Sequence, residues 1–122
     1  MASYLNGRAE SVTLLGNLLS DGLAISAITF GEIYEGVEFG HDPKRHLAGF
    51  RGFLRGVRVI AVNRKVARQF GRIRGQLRRQ RLLLPASDLL IAATALAYDL
   101  TLVTRNLRHF QRVPGLNLHH QP

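Results

Sequence analysis

Three short, apolar, strand-like runs, Leu23 to Ile28, Val57 to Val62 and Thr101 to Thr104, are separated by long stretches of helical periodicity, and this alternation is what most constrains the fold. Parallel neighbours in a sheet need long crossover connections, usually helical, whereas antiparallel neighbours can be joined by tight turns. The expected architecture is therefore an α/β three-layer sandwich with a mainly parallel central sheet. A closing strand is expected near Leu116 to Leu118, after a turn from Arg105 that leaves room for one helical turn.

The intervening helices can be read from their apolar spacing. Val12, Leu14, Leu15, Leu18 and Leu19 predict a first helix, ended by the Asp21-Gly22 turn. Thr29-Phe30-Gly31-Glu32 has the spacing of a capping box that opens a second helix. Leu47, Phe50 and Leu54 keep the helical period after Pro43. Val66, Phe70, Ile73 and Leu77 then mark one buried stripe of a long basic helix. Pro85 and Ser87 are start signals for an alanine-rich helix from Asp88 to Tyr98, whose small side chains permit close packing on a sheet.

A chain of 122 residues with 46% hydrophobic content suits one compact domain, residues 1–122, with enough apolar surface to offset the entropy of ordering. The longest nearly apolar stretch, Leu89 to Tyr98, covers about half of the roughly 20 residues a membrane-spanning helix requires. The segment Met1 to Gly7 lacks the pattern of a secretory signal, so a cytoplasmic location and no membrane partner are expected. With no cysteine, any metal must be held by oxygen or imidazole ligands.

Seventeen Lys and Arg against eight Asp and Glu give a formal charge of +9. The excess is local: no acid lies between Asp42 and Asp88, while Arg64, Lys65, Arg68, Arg72, Arg74, Arg78, Arg79 and Arg81 crowd one segment. Charge alone leaves a phosphate backbone, an acidic partner or an anionic surface open as the target.

Ligands of open parallel sheets gather beyond the carboxyl ends of the strands. That rule selects Glu32, just past the strand at Leu23, Asp88, at the start of the alanine-rich helix, and Asn106, just past the strand at Thr101. Oxygen donors of this kind suit Mg²⁺ or Mn²⁺, which are usually held by a few carboxylates together with waters and substrate phosphate. Phosphodiester hydrolysis is a natural reaction for such a site. Each residue also has a plainer use: Glu32 as a capping residue, Asp88 as a partner of the helix dipole and Asn106 as a turn former. His109, which has no partner at zinc-ligand spacing, and the His119-His120 pair are expected to be structural or solvent-facing. Asp99 is expected to form a turn.

Three ordered motifs carry a family resemblance: Ile25-Ser26-Ala27-Ile28-Thr29-Phe30-Gly31-Glu32-Ile33-Tyr34-Glu35-Gly36, Asp88-Leu89-Leu90-Ile91-Ala92-Ala93-Thr94-Ala95, and Leu102-Val103-Thr104-Arg105-Asn106-Leu107-Arg108-His109-Phe110. Together they resemble the PIN domain, particularly the VapC toxins of bacterial toxin–antitoxin pairs. The resemblance implies Mg²⁺-dependent (or Mn²⁺-dependent) ribonuclease activity, with Glu32, Asp88 and Asn106 as catalytic and metal-site residues. It also implies a cognate antitoxin and a homodimer. Arg64, Lys65, Arg68, Arg72 and Arg105 are the expected RNA contacts.

The family's first strand normally ends in Leu-Asp-Thr, and its Asp is a metal ligand. No Asp precedes Asp21 here, and Tyr4-Leu5-Asn6-Gly7 resembles the stretch that normally lies several residues beyond that motif. The chain is therefore expected to lack the first strand and its acid, with Glu10 in the first helix a poor substitute. The alternative function is a catalytically impaired binding module that holds RNA or sequesters an antitoxin.

Overall fold

The computed structural model describes residues 4–7, 22–104 and 106–120, apart from the side chains of Phe53 and His120. The helix expected from Glu10 to Leu19 lies outside these residues, as does Arg105. Five strands form one sheet: β1 (Tyr4–Asn6), β2 (Leu23–Ser26), β3 (Val57–Ile60), β4 (Thr101–Thr104) and β5 (Leu118–His120). Every pairing is parallel and the order is β3-β2-β1-β4-β5. The helices are α1 (Ala27–Phe39), α2 (Pro43–Leu54), α3 (Arg64–Arg79), α4 (Ala86–Ala97) and the single turn α5 (Leu107–Phe110).

The expectation that the first strand is absent is corrected by this topology. Tyr4–Asn6 holds the central place, with Leu5 opposite Ala24 on one side and Leu102 on the other. Without a strand there, β2 and β4 would have no ladder partner between them, and their backbone polar groups would need other acceptors. Leu5 is fully buried, as the centre of a sheet covered by helices requires. Three residues are too few to show a period-2 pattern, so local sequence gives no strand signal at this position.

Alternation sorts the strand side chains between two faces. Leu5, Ala24 and Leu102 belong to the main core together with Val66, Ile73 and Leu77 of α3 and Leu89, Ile91, Ala92, Ala93 and Ala95 of α4. Leu23 and Val103 form a smaller cluster on the opposite face, joined by Tyr4 and Val57. The stripe expected on α3 is borne out: Val66, Ile73 and Leu77 are buried, and Phe70 is half-buried against the same core.

Antiparallel packing of α3 and α4 is anchored where α3 begins. Asn63 caps α3 by accepting from the Val66 N–H at 3.0 Å, and its Nδ2 donates to the Tyr98 hydroxyl, just past the end of α4, at 2.6 Å. The start of α3 thus meets the end of α4. Loop 80–85 reverses the chain, with Arg81 in the left-handed region at φ 58°. Asp99 has φ 53° and makes the turn into β4, as expected of it.

Candidate active site

The connections from β1 diverge: the chain proceeds outward to β2 and β3, then returns to lay β4 against the other side of β1. Such a switch in strand order leaves a crevice beyond the carboxyl ends of the two central strands. Asn6 ends β1 there and is buried, a position that the sequence alone does not single out. Gly7 comes next, with its N–H donating to the Val103 carbonyl at 3.0 Å. A Cβ on Gly7 would come within 3.1 Å of that oxygen, so glycine lets the chain leave the sheet close against β4.

At the end of β4, Thr104 is buried and its Oγ1 accepts from the Asn106 N–H at 2.9 Å. Asn106 occupies the N-cap position of α5, but its side chain makes no capping hydrogen bond. Its Nδ2 instead lies 2.7 Å from Nδ1 of His109, three residues on and therefore adjacent across the turn. The other ring nitrogen of His109, Nε2, is 3.4 Å from Oδ2 of Asp88. One imidazole thus links the acid of α4 to the amide beyond β4.

Asp88 is the third residue of α4, which begins at Ala86 rather than at Asp88 itself. Pro85 occupies the N-cap and supplies no side-chain bond, so Asp88 is the acid of the first turn. Only 3% of it is exposed. Burying a carboxylate is costly unless opposite charge or donors compensate, and here the positive end of α4 and the His109 ring do so. A solvated dipole partner would not need this burial.

Glu32 has a different setting from the one expected. The strand ends at Ser26, and Ser26 rather than Thr29 caps α1, accepting from the Thr29 N–H at 3.0 Å. The Ser26 hydroxyl also donates to Thr29 Oγ1 at 3.2 Å. Cap and helix therefore begin three residues earlier than the capping-box reading requires, and no acid lies in the first turn. Glu32 stands on the second turn, exposed, one step along the helix face from buried Thr29. The capping explanation for this acid is thereby removed.

The structure brings Asp88, Asn106 and His109 into one connected cluster beside the end of β1. Among the described residues, no three His, Cys, Asp or Glu side chains gather as a metal cage. Glu32 stands on α1, which packs on α4, and is not part of such a cage among the described residues. The donor chemistry fits a hard divalent cation held sparsely, through a carboxylate and an amide oxygen, with water and phosphate completing its shell. His109, expected to be structural or solvent-facing, is the site residue that sequence reasoning misses. Its signal is available only as the Asn-x-x-His spacing of Asn106 and His109, which places two side chains on one turn.

The arginine-rich face is organised separately. Lys65 Nζ lies 4.7 Å from the centre of the Tyr98 ring and Arg58 Cζ 5.4 Å from it, so both cations gather at the end of α4. That end is about 15 Å along the helix from Asp88, at 1.5 Å per residue. Arg64 and Lys65 are thus not brought to the carboxylate. Arg68 and Arg72 are exposed on the middle of α3, with Arg72 donating to Gln69 Oε1 at 2.8 and 3.0 Å. Arg78 and Arg79, near the loop that leads to α4, lie at the other end of the helix.

Comparison with known proteins gives a consistent pattern. The PIN domain family model matches residues 1–116. The tRNA(fMet)-specific endonuclease VapC of Salmonella typhimurium is 32% identical over 114 residues, 93% of this chain and 86% of that protein. Ribonuclease VapC2 of Haemophilus influenzae is 37% identical over 94 residues, 77% and 71% of the respective chains. Among solved structures, the DNA-bound VapBC of Salmonella typhimurium aligns with a TM-score of 0.87 at 29% identity, over 98% of both chains.

Proposed function

Because this chain belongs to the PIN domain family, among its VapC-type toxins, we propose that it is an endoribonuclease that hydrolyses RNA phosphodiester bonds. The observation that carries the reading is the buried Asp88 at the strand-order switch, tied through His109 to Asn106. Relatives named as an endonuclease and as a ribonuclease support the reaction class. They favour it over the impaired binding module. One domain, residues 1–122, is proposed to carry the activity.

Asp88 and Asn106, with Glu32 from α1, are proposed to hold Mg²⁺ or Mn²⁺ and to be the catalytic residues. When bound, the cation supplies charge neutralisation at the phosphate and an acidified water. Asp88 contributes a carboxylate whose position is set by the first turn of α4 and by His109. Asn106 contributes a neutral oxygen donor, so the site keeps a low negative charge that a phosphodiester can approach. Arg64, Lys65, Arg68, Arg72 and Arg105 are proposed to track the RNA backbone, a role that needs surface charge rather than close geometry.

The VapBC structures align over nearly the whole chain and support a cognate antitoxin as protein partner. A cytoplasmic homodimer completes the proposal. Among the described residues, no helix is long and apolar enough to cross a membrane.

The test is RNA cleavage by the purified chain in Mn²⁺ and in excess chelator, with Glu32→Gln run alongside. Cleavage that needs the cation and is lost in the variant is the expected result. Equal cleavage with chelator present would overturn the metal assignment.

A further inference from the structure

We infer that His109 is a positioning residue, held as the Nε2–H tautomer, that sets the direction of both the Asp88 carboxylate and the Asn106 amide. The role deepens the nuclease reading and rests on it only for its consequence, not for its geometry. The ring has a core neighbour: its centroid lies 5.7 Å from that of Phe110, the buried last residue of α5. About a quarter of the His109 side chain remains exposed. From that seat its two nitrogens meet two different partners, Asp88 Oδ2 at 3.4 Å and Asn106 Nδ2 at 2.7 Å.

With Nδ2 of Asn106 turned toward the ring, the hydrogen-bond inventory selects the neutral Nε2–H tautomer, because an imidazolium would set its Nδ1–H against that amide nitrogen, donor against donor. A carboxylate oxygen only accepts, so the nitrogen facing Asp88 must carry hydrogen. With the proton on Nδ1 alone, the Nε2 lone pair would point at the carboxylate, setting two acceptors against each other. With the proton on Nε2, Nδ1 becomes an acceptor and the Asn106 amide nitrogen donates to it. The Asn106 carbonyl oxygen is then turned away from the ring, as a metal ligand would need to be. A neighbour that fixes ligand orientation in this way is commonly worth about 10- to 100-fold in metal affinity.

Substitutions can separate the two contacts. His109→Gln keeps an amide N–H at the reach of Nε2, His109→Asn keeps a polar atom at the reach of Nδ1, and His109→Phe keeps only the ring on Phe110. The first measurement is ¹⁵N NMR of the histidine rings in the unsubstituted chain without metal. An imine-type Nδ1 and a protonated Nε2 at His109 support the inference, and the reverse assignment overturns it.

The second is Mn²⁺ binding by calorimetry, with circular dichroism checking the fold. His109→Phe is expected to weaken binding roughly 10- to 100-fold, and His109→Gln to recover most of the loss. A folded His109→Phe chain that binds Mn²⁺ as tightly as the parent overturns the positioning role. If the parent itself binds no Mn²⁺, the nuclease reading fails, while the tautomer measurement still decides the inference about His109.

Discussion

The corner where Asp88, His109 and Asn106 meet and the arginine face of α3 are built on opposite principles. The corner has one buried acid, one ring and one amide, joined by contacts of 3.4 and 2.7 Å. The face has many exposed cations on a single helix, of which Lys65 is ordered against Tyr98 and Arg72 against Gln69. In the corner, the position of each atom matters, because a buried charge must be compensated and a ligand must point at its cation. On the face, number and sign matter more, because phosphate attraction acts through solvent and tolerates displacement. Under the proposed function, chemistry and affinity fall to separate parts of one small fold.

The largest effect expected from breaking this division is at Asp88. Asp88→Asn preserves shape while removing the charge, and RNA cleavage should fall at least about 100-fold, beyond what an orienting neighbour alone contributes. RNA binding measured in chelator should stay near that of the parent, since the arginine face is intact. If binding collapses in step with cleavage, the two regions are not separable.

Asn6→Asp tests whether the end of β1 belongs to the corner. A buried carboxylate without a cation is costly, so the variant should melt at a lower temperature in chelator. Mn²⁺ should restore its stability and bind roughly tenfold more tightly than to the parent, as an added charged ligand tightens divalent sites. A melting temperature that ignores Mn²⁺ would detach β1 from the site.

Removing charge from the face should have a smaller and more diffuse effect. In the paired substitution Arg68→Gln with Arg72→Gln, RNA affinity should drop several-fold at low salt. The slope of log affinity against log salt should become shallower by about 1.4, roughly 0.7 per lost single-strand phosphate contact. An unchanged slope in a salt titration would move the RNA path off α3. The smallest effect belongs to scaffolding beneath both regions: Ser26→Ala removes the α1 cap and should cost about 1 kcal/mol in denaturant unfolding.

Much of the frame is legible in the sequence because local patterns suffice for it. The apolar stripe of α3 keeps the helical period, and β4 ends where the β-branched run ends, at Thr104. The cap of α1 is misread from sequence because Ser26 and Thr29 are both good capping residues three positions apart, and only the end of the β2 ladder at Ser26 decides between them. The central strand escapes a local reading because Leu5 is recognisable as core only when β2 and β4 stand on either side of it.

The site divides along the same line. Asp88 and Asn106 can be picked from sequence because their positions depend on a helix start and a strand end, which are local events. His109 cannot, since its importance comes from Asp88, in the first turn of α4, which packing sets beside the turn that follows β4. By itself, then, the sequence determined the alternation of strands and helices, the basic helix and two residues of the candidate site, Asp88 and Asn106, all set by spacing along the chain. Only the tertiary structure decided that Tyr4–Asn6 is the central strand, that Glu32 is no cap and that one imidazole joins an acid to an amide, because those depend on distances between segments remote in sequence.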